Sequence, residues 1–121
     1  MKNDDIPRKV ELDATGAQLA LSYTDIGTVT LSAELLRVYS PSAEVQGHGI
    51  GNEVLQTGKR HVKISNIEQV GNYALKFTYS DGHDSGLYTW KYLKGLALNA
   101  EEYWNGYLKK LDQASASRDP Q

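Results

Sequence analysis

Short period-two runs joined by turns of a few residues constrain this chain most, because such turns leave no room for the crossovers that parallel strands need. Lys9-Val10-Glu11-Leu12 alternates and ends in Asp13-Ala14-Thr15-Gly16, a turn with glycine last. Gln18 to Tyr23 follows with Leu19, Leu21 and Tyr23 on one face, and Asp25-Ile26-Gly27 turns the chain into Thr28-Val29-Thr30-Leu31. These segments read as an antiparallel meander. Val62 to Val70 and Tyr73 to Tyr79 are further strands, linked by Gly71-Asn72, and Gly86 to Trp90 is the last.

Ser32 is placed to cap a short helix over Ala33 to Val38, with Pro41 just beyond its end. Ser40-Pro41-Ser42-Ala43-Glu44 suits a second helical turn with proline in its first turn. Tyr92 to Leu98 begins a helix, and Ala100 to Leu111 makes a better one, with Tyr103, Tyr107, Leu108 and Leu111 at helical spacing. The expected fold is α+β: a small antiparallel β-sheet of about six strands, a short helix after strand three and C-terminal helices. Residues 1–8 are expected to be flexible, 9–112 to form one domain, and 113–121, rich in Ser, Ala, Asp and Pro, to be disordered.

Composition narrows the function classes. The chain has 121 residues and no cysteine, so disulfides and thiolate metal sites are excluded and nothing argues for export. No apolar run approaches the roughly 18 residues that span a bilayer, and Met1-Lys2-Asn3-Asp4-Asp5 lacks a secretory apolar core. A cytoplasmic location without a membrane partner is expected. A formal charge of −2 gives no broad basic face, so nucleic acid is not expected as a partner either.

The chemistry-bearing residues concentrate in one turn. Asp81-Gly82-His83-Asp84 joins two aromatic strands, and Asp-Gly favours a turn because glycine reaches positive φ freely. The turn presents Asp81, His83 and Asp84 for metal or acid–base work, or His83 is simply a turn histidine with a hydrogen-bonded ring. Zinc needs three or four ligands, and His48, His61, His83, Asp81 and Asp84 are the candidates, although no spacing fixes two histidines on one element. The Gly47-x-Gly49-x-Gly51 loop fits neither a phosphate-binding loop nor a dinucleotide fingerprint. None of Ser40, Ser42, Ser65, Ser80 and Ser85 sits in a nucleophile elbow. Lys59-Arg60-His61-x-Lys63 is the densest basic cluster and reads as the charged start of an edge strand. Tyr103 and Trp104 are adjacent on a helix, which predicts that one of them is exposed as a partner contact.

Leu36-Arg37-x-x-Ser40-Pro41-Ser42-Ala43-Glu44, Gly58-Lys59-Arg60, Val70-Gly71-Asn72-Tyr73-Ala74 and Asp81-Gly82-His83-x-x-Gly86-x-Tyr88-x-Trp90-x-Tyr92-Leu93 occur in order. Over about Val10 to Leu111 the chain resembles the gamma-butyrobetaine hydroxylase-like N-terminal domain, also called domain of unknown function 971. In the hydroxylases this domain precedes an iron- and 2-oxoglutarate-dependent catalytic domain; elsewhere it is appended to P-loop iron–sulfur carriers. The resemblance implies a structural zinc held by a Leu-Arg-x-x-Cys-Pro-Cys-x-x-Cys segment and the histidine of an Asp-Gly-His turn. Those cysteine positions fall here on Ser40, Ser42 and Val45, and the histidine on His83.

No catalytic facial triad is visible, so the expectation is a non-enzymatic accessory or adaptor domain standing alone. Its partner would be an unidentified protein, met through Ser40, Pro41, Ser42, Glu44, His48 and Trp104. The alternative is a zinc- or iron-binding protein tied to iron–sulfur handling through His83. Serine hydroxyls are neutral, hard donors and valine is none, so no cofactor is expected. Protein purified without an affinity tag should therefore carry no stoichiometric zinc or iron by elemental analysis. About one equivalent of tightly held metal, lost in His83→Ala, would overturn that.

Overall fold

The computed structural model describes residues 4–42, 45 and 54–120. Among the described residues, six strands and three helices run in the order β1 (Lys9–Leu12), β2 (Gln18–Tyr23), β3 (Gly27–Ser32), α1 (Ala33–Val38), β4 (Ile64–Val70), β5 (Ala74–Tyr79), β6 (Leu87–Thr89), α2 (Trp90–Leu98) and α3 (Ala100–Gln113). The class is α+β, as expected. The strands form two three-stranded antiparallel sheets, β1-β2-β3 and β4-β5-β6, rather than one. Pairing stays between sequence neighbours, and α1 with the chain that follows it separates β3 from β4. The sheets meet where Ile64 N donates to Gly16 O at 2.8 Å.

Boundaries moved for local reasons. β4 begins at Ile64 because residues 59–62 close a turn, with Val62 N donating to Lys59 O at 3.1 Å. The basic cluster thus lies in a turn, where Lys59 pairs with Asp81 and Arg60 with Asp119, and not at a strand edge. β6 stops at Thr89 because that hydroxyl accepts from Tyr92 N at 3.2 Å and so starts α2 at Trp90. Ser32 caps α1 as read, accepting from Leu35 N at 3.0 Å.

The core gathers Leu19, Leu21 and Tyr23 of β2, Leu31 of β3, Phe77 and Tyr79 of β5, and Tyr88, Leu93 and Leu96. α1 lies in its middle, and every residue from Ala33 to Val38 is buried. Six residues are too few for a stable isolated helix, so this burial sustains it. The segment after Gln113, expected to be disordered, is described as far as Pro120. It is held by Gly58 N to Ser117 O (3.0 Å), Arg60 N to Arg118 O (2.9 Å) and a bidentate Arg118–Glu34 pair. No helix among the described residues is long and apolar enough to cross a membrane.

The seam between the sheets depends on Gly16, whose φ is +80° and whose missing Cβ would run into the Ile64 carbonyl oxygen. Gly82 also has positive φ, at +90°, but open space around it. Gly82→Ala should cost about 1 kcal/mol of backbone strain, and Gly16→Ala about 2–3 kcal/mol, since strain and collision add. Thermal melts of both variants check the order; equal losses would mean that the seam tolerates a methyl group.

Candidate functional site

The β5–β6 hairpin turn points its charged residues in different directions. Tyr79 N donates to His83 O at 3.0 Å and Gly82 N to Tyr79 O at 2.9 Å, which closes the turn with Gly82 at the expected positive φ. Asp81 Oδ1 accepts from His83 N at 3.2 Å and steers the imidazole inward. Its other oxygen accepts from Arg37 Nε at 2.9 Å and Lys59 Nζ at 2.6 Å. Asp84 is exposed. Asp81, His83 and Asp84 therefore do not converge on one site.

His83 instead meets the chain leaving α1. Its Nε2 lies 2.8 Å from Ser40 Oγ and 3.4 Å from Ser42 Oγ, and Ser42 N donates to Ser40 Oγ at 3.3 Å. Ser40, Ser42, Val45 and His83 are all buried. Gly86 backs this cluster, because a Cβ there would collide with Ser40 Oγ and lie 3.1 Å from Pro41 Cδ. Beneath it, Tyr88 OH donates to the Leu36 carbonyl at 2.6 Å and lies 2.7 Å from Tyr79 OH. Burial raises both phenols above their ordinary range, so both stay protonated at neutral pH.

A second feature adjoins this cluster at Val45. Val38, Tyr39, Val54, Leu55, Tyr103 and Tyr107 line a groove of about 640 Å³, with Lys110 and Gln113 at its rim. Tyr39 OH donates to Tyr103 O at 2.7 Å, Tyr107 OH to Gln56 O at 2.9 Å and Tyr92 OH to Tyr39 O at 2.5 Å. Burial, followed by the Glu34 charge, pushes Tyr107 up to about 12. Trp104 lines a different cavity with Glu34 and Arg118, and neither it nor Tyr103 is exposed. Its indole lies beneath the Arg118 guanidinium, 4.8 Å from ring centre to Cζ. Glu44 and His48 fall outside the described residues, as does the Gly47–Gly51 loop.

The profile of the gamma-butyrobetaine hydroxylase-like N-terminal family matches residues 10–94. The chain belongs to this family. Two solution NMR structures are each 49% identical to it: one covers 96% of this chain and 91% of its own with a TM-score of 0.84, the other 99% and 91% with 0.78. A crystal structure of a protein of unknown function in the domain of unknown function 971 family, from Acidithiobacillus ferrooxidans ATCC 23270, is 30% identical. It covers 80% of this chain and 98% of its own with a TM-score of 0.65. No curated protein matches.

Family membership makes the serine–histidine cluster the place to test for zinc. The fold brings Ser40, Ser42 and His83 together, but one imidazole and two neutral hydroxyls are a poor donor set for zinc, and buried Val45 supplies no donor. No group of three or more His, Cys, Asp or Glu side chains suited to a metal occurs among the described residues. The described residues do not fit the ion. Sequence reasoning found the cluster through the family pattern, but missed the Arg37–Asp81–Lys59 triad and the tyrosine groove, whose members are far apart in the chain.

Burial pushes the Asp81 carboxyl up, but Lys59, the His83 N–H and Arg37 together outweigh it and hold the group below the usual carboxylate range. Because the folded value is lowered, this stabilisation is present above the unfolded Asp value of about 3.9 and is lost as pH falls through the folded one. At neutral pH, Asp81→Asn should cost about 1–3 kcal/mol by stranding the buried Arg37 guanidinium. As pH falls through the lowered folded value of Asp81 the gap to wild type should close. Urea midpoints across that fall measure it; a constant gap would show that Asp81 is not the group titrating.

Proposed function

We propose that this chain is a non-catalytic accessory domain that binds another protein through the tyrosine groove. The observation that carries the reading is the groove's lining: among the described residues it is apolar and aromatic, with Lys110 its one charged group. Tyrosines offer rigid contact area with a polar tip, which suits recognition of a partner side chain or helix. Val54, with 53% of its surface exposed, adds an apolar rim that the domain's own core does not use. The acid–base groups of the hairpin turn have structural partners instead, Asp81 with Arg37 and Lys59, and His83 with Ser40 and Ser42.

A photo-crosslinking amino acid at Lys110, on the groove rim, should capture one discrete protein in the native host. The same group at Glu68, on the exposed face of β4, should not, and Val54→Asp should abolish the Lys110 adduct without unfolding the domain. Adducts that form equally from both positions, or that ignore Val54→Asp, would reject the groove as the binding surface.

A further inference from the structure

We propose that Glu34, Trp104 and the Gly58–Arg60 backbone form a recognition site for a bent, arginine-bearing protein segment, which Ser117–Asp119 fills in cis. The site lies apart from the tyrosine groove and does not rest on that reading.

The argument begins with Glu34. Its side chain is only 6% exposed on a helix buried on every side, so an ionised carboxylate there requires a cation. Arg118 supplies it as a fork, Nε to Oε2 at 2.8 Å and NH2 to Oε1 at 2.7 Å, with the guanidinium over the Trp104 ring. A carboxylate and an aromatic face at these positions select a planar guanidinium over an ammonium. The neighbouring backbone reads a bent chain: Gly58 N and Arg60 N donate to the consecutive carbonyls of Ser117 and Arg118, at 3.0 and 2.9 Å, and Asp119 N turns back onto Ser117 Oγ at 3.0 Å. Arg60 pairs with Asp119, so the site also prefers an acidic residue after the arginine.

The segment now in place is held mainly by polar contacts and buries little of its own surface. From Ser115 to Pro120 only Ala116 and Arg118 are even partly buried. Its first residue, Ser115, has φ +52°, the only positive φ outside glycine among the described residues, which strains the link to α3. Few apolar contacts and a strained link put a segment at the low end of local stability. A cavity of about 430 Å³ stays open beside Arg118, bordered by Gln18, Thr30, Val62 and Trp104, so a partner segment can bury more surface than the cis one does.

The probe is a synthetic Ser-Ala-Ser-Arg-Asp-Pro peptide, titrated into the full chain with NMR detection at the Trp104 indole and Glu34 amide. Arg118→Ala should bind it saturably, with at least about fivefold tighter apparent affinity than wild type, because the tethered segment competes at high effective concentration. A peptide with alanine for arginine should not bind. Glu34→Gln in the Arg118→Ala background, which leaves no unpaired charge, should also lose binding. In the wild-type chain, excess peptide should still release Arg118, seen as a change in its Nε–H resonance. Equal binding to wild type and Arg118→Ala, binding indifferent to the peptide's arginine, or no displacement in wild type would each overturn the proposal.

Discussion

Burying α1 on all sides forces its two ionisable side chains to find partners inside the fold, and much of the structure follows from how they do. Glu34 and Arg37 lie on a helix of six residues with no face to water. Arg37 draws in Asp81 and with it the β5–β6 turn, while Glu34 draws in Arg118 and the chain after α3. The helix's Leu36 carbonyl takes a further bond from Tyr88. Breaking one partner of such a pair strands the other charge inside the fold, whereas replacing both with apolar groups is often neutral. The pairs therefore select one arrangement of hairpin, helix and final segment more than they add net stability.

The same hairpin shows how this family member holds a junction where zinc is implied. A structural zinc can supply about 10–16 kcal/mol in small domains, against about 1 kcal/mol net for an ordinary hydrogen bond. The Ser40–His83–Ser42 contacts cannot replace that strength by themselves. What supports them here is close packing, with Gly86 against Ser40 and Pro41, and the Tyr79–Tyr88 pair reaching down to α1. The cluster is therefore a buried polar contact within a larger core, and Asp81 with its two cations ties the turn from the other side.

Much of this was legible in the chain. Lys9–Leu12, Gln18–Tyr23 and Ala33–Val38 fall where alternation, Asp-Gly-type turns and a serine cap place them, because these signals are local and act over a few residues. The gathering of Ser40, Ser42 and His83 was legible only through family likeness, since no spacing on one element encodes it. Trp104 was read as an exposed contact because helical spacing cannot foresee that Arg118 covers it. The final segment was read as disordered because composition records what a segment can bury alone, and not the buried carboxylate waiting for its arginine.

By itself, then, the sequence determined the element types, the antiparallel pairing and the absence of thiolate chemistry, each following from periodicity, turn length or composition. Tertiary structure alone decided that the six strands divide into two sheets, and that the turn's aspartate and histidine face opposite ways. It alone also built a tyrosine groove and a guanidinium site between residues far apart in the chain. Long-range contacts of this kind depend on which buried charges and cavities must be matched once the core has formed, and no local stretch of sequence carries that information.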